Sequence, residues 1–190
     1  LIGSGGVLSH APRRSQAALM VIDAFLPEGI TMLAVDSIFM MPQLGVLSEV
    51  LPEAATEVFD KDCLIRLGTC IAPAGVLKKV TVLASVTMTK QDGSSIDLEI
   101  ELGKMHVEPL GVGEKVNAVI RPAKNLDVGN GPGNEWIGEL EGGVIGLIFD
   151  GRGRPFVLPE DDLLRIDKLQ EWSKALNIYP ERFMDLEGGE

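Results

Sequence analysis

The spacing of apolar residues predicts alternating strands and helices over the first third of this 190-residue chain. In residues 13–27, "RRSQAALMVIDAFLP", apolar side chains recur at helical spacing, which predicts a helix with one buried face. That predicted face consists of Ala17, Ala18, Val21, Ile22 and Phe25. The apolar run "ITMLAV" (30–35) is typical of a strand buried on both faces. Residues 40–59 predict a helix broken at Pro52. The alternation of strands and helices over about the first sixty residues is typical of an α/β layer.

The pattern changes after residue 62 to a series of short apolar runs. In residues 95–102, "SIDLEIEL", apolar and acidic side chains alternate, as expected for a strand with one buried face. The turns are explicit in the sequence, with "QDGS" at 91–94 and "DGRGRP" at 150–155. Short strands joined by glycine-rich turns predict a small β barrel or β sandwich.

The chain ends in a stretch with helical periodicity and an acidic start, "PEDDLLRIDKLQEWSKAL" (159–176). Its predicted apolar face consists of Leu163, Ile166, Leu169, Trp172 and Leu176. We therefore divide the chain into an α/β part (1–61), a β-rich domain (62–159) and a C-terminal helix with its tail (160–190). The last four residues, "EGGE", are expected to fray.

Composition and charge narrow the class of protein. Hydrophobic residues make up 45% of the chain, which is enough for a sizeable core. The formal net charge of −11 disfavours a nucleic-acid partner, because phosphates would be repelled. Each apolar stretch is shorter than a membrane span, and no charged region precedes the first residues as in a signal peptide. We therefore expect a soluble cytoplasmic protein with no membrane partner.

Two cysteines, Cys63 and Cys70, are too few for a disulfide framework and lack the spacing of a zinc site. We expect two buried reduced thiols and no bound metal. The two histidines, His10 and His106, lie in no recognisable catalytic motif, so a stand-alone enzyme is poorly supported and we assign no catalytic residue. We interpret His10 as a local cap or packing residue.

The motif "GSGG" (Gly3, Ser4, Gly5 and Gly6) is the first candidate binding site. Glycine lacks the Cβ atom that would keep a ligand from the backbone, and a helix start favours an anion. A strand-to-helix turn can also require glycine simply in order to bend. Asp36 follows the predicted buried strand, at the kind of strand end where α/β sheets bind ligands. A role for Asp36 or Ser37 as a helix N-cap is the alternative.

Arg152 and Arg154 form a second candidate site, in a glycine-rich turn of a predicted hairpin. If they project from the tip of that hairpin, they place two cations on an acidic surface. They would then either neutralise nearby acids (Asp150, Glu160 and Asp161) or dock an anionic partner surface.

Two stretches of the chain resemble the MutL (GlmL) family, the accessory proteins of adenosylcobalamin-dependent glutamate mutase, which are distinct from the mismatch-repair proteins of that name. They are residues 1–50, which begin "LIGSGGVLSHAPRRSQ", and residues 126–159, which begin "LDVGNGPGNEWIGELE". The resemblance implies an actin-like ATPase fold and an ATP-dependent chaperone or reactivating role for a mutase. It also implies that residues 3–6 contact the adenosine of ATP and that Gly45 permits close packing of a helix.

In such ATPases the phosphate-binding loops and the acids that hold Mg²⁺ lie in earlier sequence. The resemblance therefore implies a C-terminal fragment, with a partial actin-like lobe over residues 1–61. We expect the full-length protein to hydrolyse ATP with Mg²⁺, and this chain to have no measurable ATPase activity and to need no cofactor. An exposed sheet edge would make self-association plausible. A non-catalytic β module that docks a mutase or another subunit is the alternative function, and which mutase is served stays open.

Overall fold

The computed structural model of the chain describes residues 1–77, 80–90 and 92–179. Its strands are β1 Ile2–Gly3, β2 Gly29–Asp36, β3 Leu64–Ala72, β4 Ala74–Gly75, β5 Val82–Thr89, β6 Ser95–Glu101, β7 Met105–Glu108, β8 Lys115–Pro122, β9 Leu126–Asp127, β10 Trp136–Glu141 and β11 Leu147–Asp150. Its α-helices are α1 Gly6–Ser9, α2 Arg14–Phe25, α3 Met41–Ser48, α4 Pro52–Val58 and α5 Asp162–Ala175, and α4 continues into a π-helical turn, Phe59–Cys63. No helix of these described ranges is both long enough and apolar enough to cross a membrane.

A five-stranded mixed sheet in the order β1-β2-β3-β11-β7 forms the middle of the molecule. β1 runs parallel to β2 and β11 runs parallel to β3, whereas the β2–β3 and β11–β7 pairs are antiparallel. One buried cluster joins one face of this sheet to α2 and to the C-terminal half of α5. The five-stranded sheet therefore carries a helical layer on that side.

A second sheet, with the antiparallel order β10-β8-β5-β6, contributes the other large core. The alternating side chains of β5 and β8 that face inward, such as Met88 and Ile120, are buried in one cluster with Phe149 of β11. Outward-facing side chains on the same strands form ion pairs at the surface, such as Lys115 with Glu139 at 2.7 Å. The described strands thus form separate sheets and no closed barrel, so the barrel alternative is wrong. The overall class, mixed α/β, agrees with the prediction, and the actin-like lobe stays a prediction.

The strands on either side of the predicted boundary at 61/62 belong to the same sheet. β2 pairs with β3 along its whole length, from Gly29 opposite Ala72 to Asp36 opposite Leu64. β3 in turn pairs with β11, so the five-stranded sheet combines strands from residues 1–61 with strands from residues 62–159.

Local sequence signals placed α2 and the break between α3 and α4 correctly. Four of the five predicted residues of the α2 face are buried, whereas Phe25 in the last turn is 60% exposed. Pro52 lies at the first position of α4, where a proline has no hydrogen bond to lose. Gly45 is exposed, and a Cβ atom there would meet nothing within 4 Å. The prediction that Gly45 permits close packing is therefore wrong.

The C-terminal helix α5 begins as predicted but buries only part of its apolar face. The Asp161 carboxylate caps the helix by accepting a hydrogen bond from the Leu164 amide at 2.8 Å. Trp172 and Leu176 are buried, whereas Leu163 is 76% exposed, because only the C-terminal half of α5 packs on the five-stranded sheet. The predicted fraying of residues 187–190 lies outside the described residues.

Candidate functional site

The glycine-rich turn, residues 3–6, lies where two parallel strands end side by side. β1 and β2 pair with Ile2 opposite Ala34 and with Gly3 opposite Val35. Parallel strands end at the same edge of a sheet, so Ser4 and Asp36 leave the sheet next to each other. The Ser4 hydroxyl donates a hydrogen bond to Asp36 Oδ2 over 3.1 Å. The structure therefore brings together the two sequence segments that were predicted to contact a ligand.

The glycines of this turn serve different purposes. A Cβ atom on Gly3 would lie 2.7 Å from Leu8 Cδ1 and 2.9 Å from a methyl carbon of Val21, so Gly3 permits close packing of β1 against the helices. Gly5 has φ of +123°, a conformation that side chains rarely adopt. A Cβ atom on Gly5 or on Gly6 would meet nothing within 4 Å. Gly5 and Gly6 therefore face open space.

Three consecutive amides of the turn leave their hydrogen-bonding capacity unused within the described residues. Among the described residues, the N–H groups of Gly5, Gly6 and Val7 have no acceptor, whereas the Gly5 carbonyl accepts from Leu8 and Ser9 at 3.1 and 3.0 Å. The first amides of any helix lack partners within the helix. Open space and free amides are what a ligand needs in order to contact the backbone.

Asp36 holds the turn and α3 together. It is fully buried, and its Oδ1 accepts from the Met40 amide at 3.1 Å while its Oδ2 accepts from the Met41 amide at 2.9 Å as well as from Ser4. Burial favours the neutral acid, but the hydrogen bonds from Met41, Met40 and Ser4 outweigh it and lower the pKa of Asp36. An ionised carboxylate with both oxygens engaged is a poor base and a good cap. Asp36 thus caps the first amides of α3 from outside the helix, whereas the N-cap position itself is Met40.

The basic residues after the turn make local contacts. His10 Nδ1 lies 2.9 Å from the Gly6 carbonyl oxygen, which agrees with its interpretation as a local cap. Arg13 Nη1 donates to the Asn177 carbonyl at 3.0 Å, beyond the end of α5, and Arg14 Nη1 donates to the Ser9 carbonyl at 3.2 Å. Arg13 therefore connects the start of α2 to the segment that follows α5.

Arg152 and Arg154 do not project from a hairpin tip, so that prediction is wrong. They are 6% and 2% exposed, and both guanidinium groups bind the fully buried carboxylate of Asp150. Asp150 Oδ2 accepts from Arg152 Nη2 at 2.9 Å and from Arg154 Nη2 at 2.8 Å. Asp23 on α2 binds Arg152 Nη1 at 2.7 Å. Two carboxylates and two guanidinium groups thus balance in charge, and neither arginine is left at the surface to dock a partner.

This buried ion network also connects β11 to both long helices. The Arg152 guanidinium lies 4.7 Å from the ring centre of Phe156 and 5.2 Å from that of Trp172 on α5. Arg154 Nε donates to the Pro27 carbonyl at 3.1 Å, just beyond α2. Sequence reasoning offered the pairing of these arginines with Asp150 as one of two alternatives, and the structure shows that pairing. It missed the burial of both guanidinium groups and their contacts with the helices.

The cysteines and acids do not form a metal site within the part of the chain that the structure describes. No group of three or more histidine, cysteine or carboxylate side chains there could hold an ion. Cys63 and Cys70 are both free and buried, and burial raises the pKa of each thiol. Both thiols are therefore protonated and unreactive near neutral pH.

Together the fold and this site define a mixed α/β protein whose glycine-rich strand-to-helix turn faces open space beside a capping carboxylate. Residues 1–63 match the family model described as MutL protein, so this part of the chain is similar to the MutL family. The match confirms the resemblance and suggests an accessory role alongside glutamate mutase. It ends at residue 63, so the resemblance of residues 126–159 stays a prediction. No curated protein and no solved structure matches the chain.

Proposed function

We propose that this chain contributes the adenosine-contacting edge of an ATP-dependent accessory protein for an adenosylcobalamin-dependent mutase. The observation that carries the proposal is the MutL family match over residues 1–63, which includes the whole glycine turn, Asp36 and the helices that follow. The accessory role is the reactivation or chaperoning of the mutase, with glutamate mutase as the expected partner. Other carbon-skeleton mutases and aminomutases are alternative partners.

The geometry of the turn fits the adenosine side of a nucleotide. Gly5 and Gly6 present backbone with no Cβ atom in the way, and three consecutive amides there have no acceptor within the described residues. The sugar and base of adenosine can lie against such a backbone, and their oxygen and nitrogen atoms can accept hydrogen bonds from its N–H groups. Asp36 acts as a positioning residue, because it fixes Ser4 and the start of α3 with both carboxylate oxygens.

Bound ATP would supply a γ-phosphoryl group whose hydrolysis releases the energy for work on the mutase. Hydrolysis needs phosphate clamps and Mg²⁺, which in actin-like ATPases are held by earlier parts of the sequence. The residues of this chain would therefore bind and orient the adenosine and leave the phosphoryl group to those other parts. We accordingly expect adenosine contact without ATPase activity from these 190 residues.

Association with purified glutamate mutase tests the accessory role. The 190-residue chain, mixed with the mutase and passed through a size-exclusion column with light scattering, should elute together with it as a complex of increased mass. A matched sample with an unrelated enzyme of similar size controls for non-specific adhesion. Separate elution at every tested concentration, with glutamate mutase and with an aminomutase alike, would contradict the accessory role.

A non-catalytic binding module is the alternative function. It predicts the same complex with the mutase but no contact between the chain and adenosine. Complex formation and adenosine binding are therefore measured separately, and a chain that shows the first without the second would favour the binding module.

A further inference from the structure

The segment between β2 and β3 forms a helical hairpin, α3 and α4, that buries little of its own apolar surface. Leu44 and Ala55 are its buried apolar residues, at 8% and 3% exposure. The helices have eight and seven residues, lengths at which an isolated helix is marginal in water. The hairpin therefore depends on packing for its order, yet most of its apolar side chains remain in solvent.

Four of these side chains form the hairpin patch, which we define as Val46, Leu47, Val50 and Leu51. They are 71%, 38%, 78% and 54% exposed. Val46 and Leu47 lie in the last turn of α3, and Val50 and Leu51 lie in the turn that follows it, where their amides both donate to the Leu47 carbonyl, at 3.0 and 2.9 Å. Clustered apolar side chains of this kind mark interaction surfaces on soluble proteins, whereas isolated ones need no explanation.

The charges around the hairpin patch indicate the chemistry of its partner. Glu49 lies within the patch in sequence, and Glu53 lies in the first turn of α4. Both are exposed, and neither has a cation within salt-bridge distance among residues 1–77, 80–90 and 92–179. Further along α4, by contrast, Glu57 lies 3.7 Å from Lys61. Two carboxylates without partners thus border an apolar surface.

We propose that the hairpin patch binds a protein surface that carries an apolar strip flanked by lysine or arginine side chains. The apolar strip would cover Val46 and Val50, and the flanking cations would pair with Glu49 and Glu53. A second copy of this chain fits poorly, because symmetric pairing would bring these same carboxylates together between two molecules of net charge −11. The proposal is independent of the accessory role and of adenosine contact.

Two synthetic helical peptides with identical leucine faces test this proposal. One carries lysines beside the leucines and the other carries glutamates, and fluorescence anisotropy reports binding of each to the full 190-residue chain. We expect the lysine peptide to bind in a salt-sensitive manner and the glutamate peptide to bind at least about tenfold more weakly. Val50→Asp should weaken binding of the lysine peptide about tenfold, because the substitution puts a charge into the apolar contact. The double variant Glu49→Lys/Glu53→Lys should reverse the preference between the two peptides.

Matched controls separate this surface from the general negative charge of the protein. Val157→Asp replaces a valine of similar exposure (76%) elsewhere, and Asp167→Lys reverses an exposed carboxylate on α5. Both control variants should bind the lysine peptide as the parent does. Because Val50 is exposed, an unchanged melting temperature should show that Val50→Asp still folds.

Several outcomes would overturn the proposal. These are equal binding of the two peptides, equal losses in the hairpin and control variants, or no binding of either peptide. Sedimentation velocity provides a further arm: a dimer that Val50→Asp abolishes would identify a second copy of the chain as the occupant instead.

Discussion

Replacing Asp150 by alanine removes the one carboxylate that both buried guanidinium groups share. In the native structure this carboxylate accepts from the Arg152 amide at 3.0 Å, from Arg152 Nε and Nη2 at 2.9 Å each, and from Arg154 Nη2 at 2.8 Å. After the substitution, Arg152 keeps Asp23 and Arg154 keeps two carbonyl oxygens. Of the two buried cations, only Arg152 would then keep a carboxylate partner, and that carboxylate is partly exposed.

The expected cost follows from the burial of the pair. Removing one partner of a buried ion pair costs about 3–5 kcal/mol, because the remaining charge is left without compensation in a poorly solvated site. The same guanidinium offers an internal comparison in Asp23, whose side chain is 43% exposed. An exposed partner contributes only about 0–1 kcal/mol. We therefore expect Asp150→Ala to reduce the free energy of unfolding by about 3–5 kcal/mol and Asp23→Ala by about 1 kcal/mol or less.

Urea unfolding followed by circular dichroism measures the free energy of unfolding of both variants. This requires that each variant unfolds in a single transition and that the dependence of the free energy on urea concentration is unchanged. Burial favours the neutral form of Asp150, but the bonds and charges of Arg152 and Arg154 outweigh it and lower its pKa below the unfolded value of about 3.9. The stabilisation by Asp150 is therefore complete above about pH 4 and is lost as the pH falls through the lower folded-state pKa. The gap between parent and variant should be constant at neutral pH and should narrow in acid. A loss below about 1 kcal/mol, or a gap that widens in acid, would refute this reasoning.

Three further substitutions and one chemical treatment test other parts of the structure. Asp36→Ala should cost about 1–2 kcal/mol and speed hydrogen exchange of the Met40 and Met41 amides, because both lose their acceptor; unchanged exchange would contradict the capping role. Gly68→Ala should lower the free energy of unfolding by more than about 3 kcal/mol, because φ is +134° and a Cβ atom would overlap the Gly146 carbonyl oxygen. Gly45→Ala, in an exposed helix, should instead raise the free energy of unfolding by about 0.5–1 kcal/mol. The melting temperatures of the two variants should therefore shift in opposite directions. Both cysteines should resist Ellman's reagent in the native protein and react after unfolding in urea, and a thiol that reacts at once in the native state would show that its burial or its raised pKa is wrong.

The features that could be predicted from sequence are those that local residues decide. The buried face of α2 follows from apolar spacing, and the break before α4 follows from Pro52, whose ring and missing N–H do not fit a helix interior. The strand at 95–101 follows from strict alternation. The glycine turn and Asp36 were each singled out from the sequence, whereas their contact through Ser4 is a finding of the structure.

The remaining features depend on contacts between distant parts of the chain. Arg152 is held by Asp23, 129 residues away, and by Trp172, so glycine-rich turn signals alone misplaced it at the surface. The parallel pairing of β3 with β11 likewise joins residues far apart in sequence. Local patterns therefore could not predict that strands from both sides of the boundary at 61/62 belong to one sheet. On α5 the spacing predicts an apolar face, but it does not show that only the half near Trp172 finds a partner.

A titration of the ¹⁵N-labelled chain with adenosine tests the proposed function most directly at the level of atoms. The account predicts that the amides of Gly5, Gly6 and Val7 shift first and saturably, because they have no acceptor among the described residues and Gly5 and Gly6 border open space. Gly6→Val should abolish these shifts without changing the fold, since its side chain enters only the ligand's space. Gly45→Val, at an exposed glycine with equal room, should leave them unchanged. An absence of shifts up to the solubility limit of adenosine, or shifts that Gly6→Val leaves intact, would contradict the account.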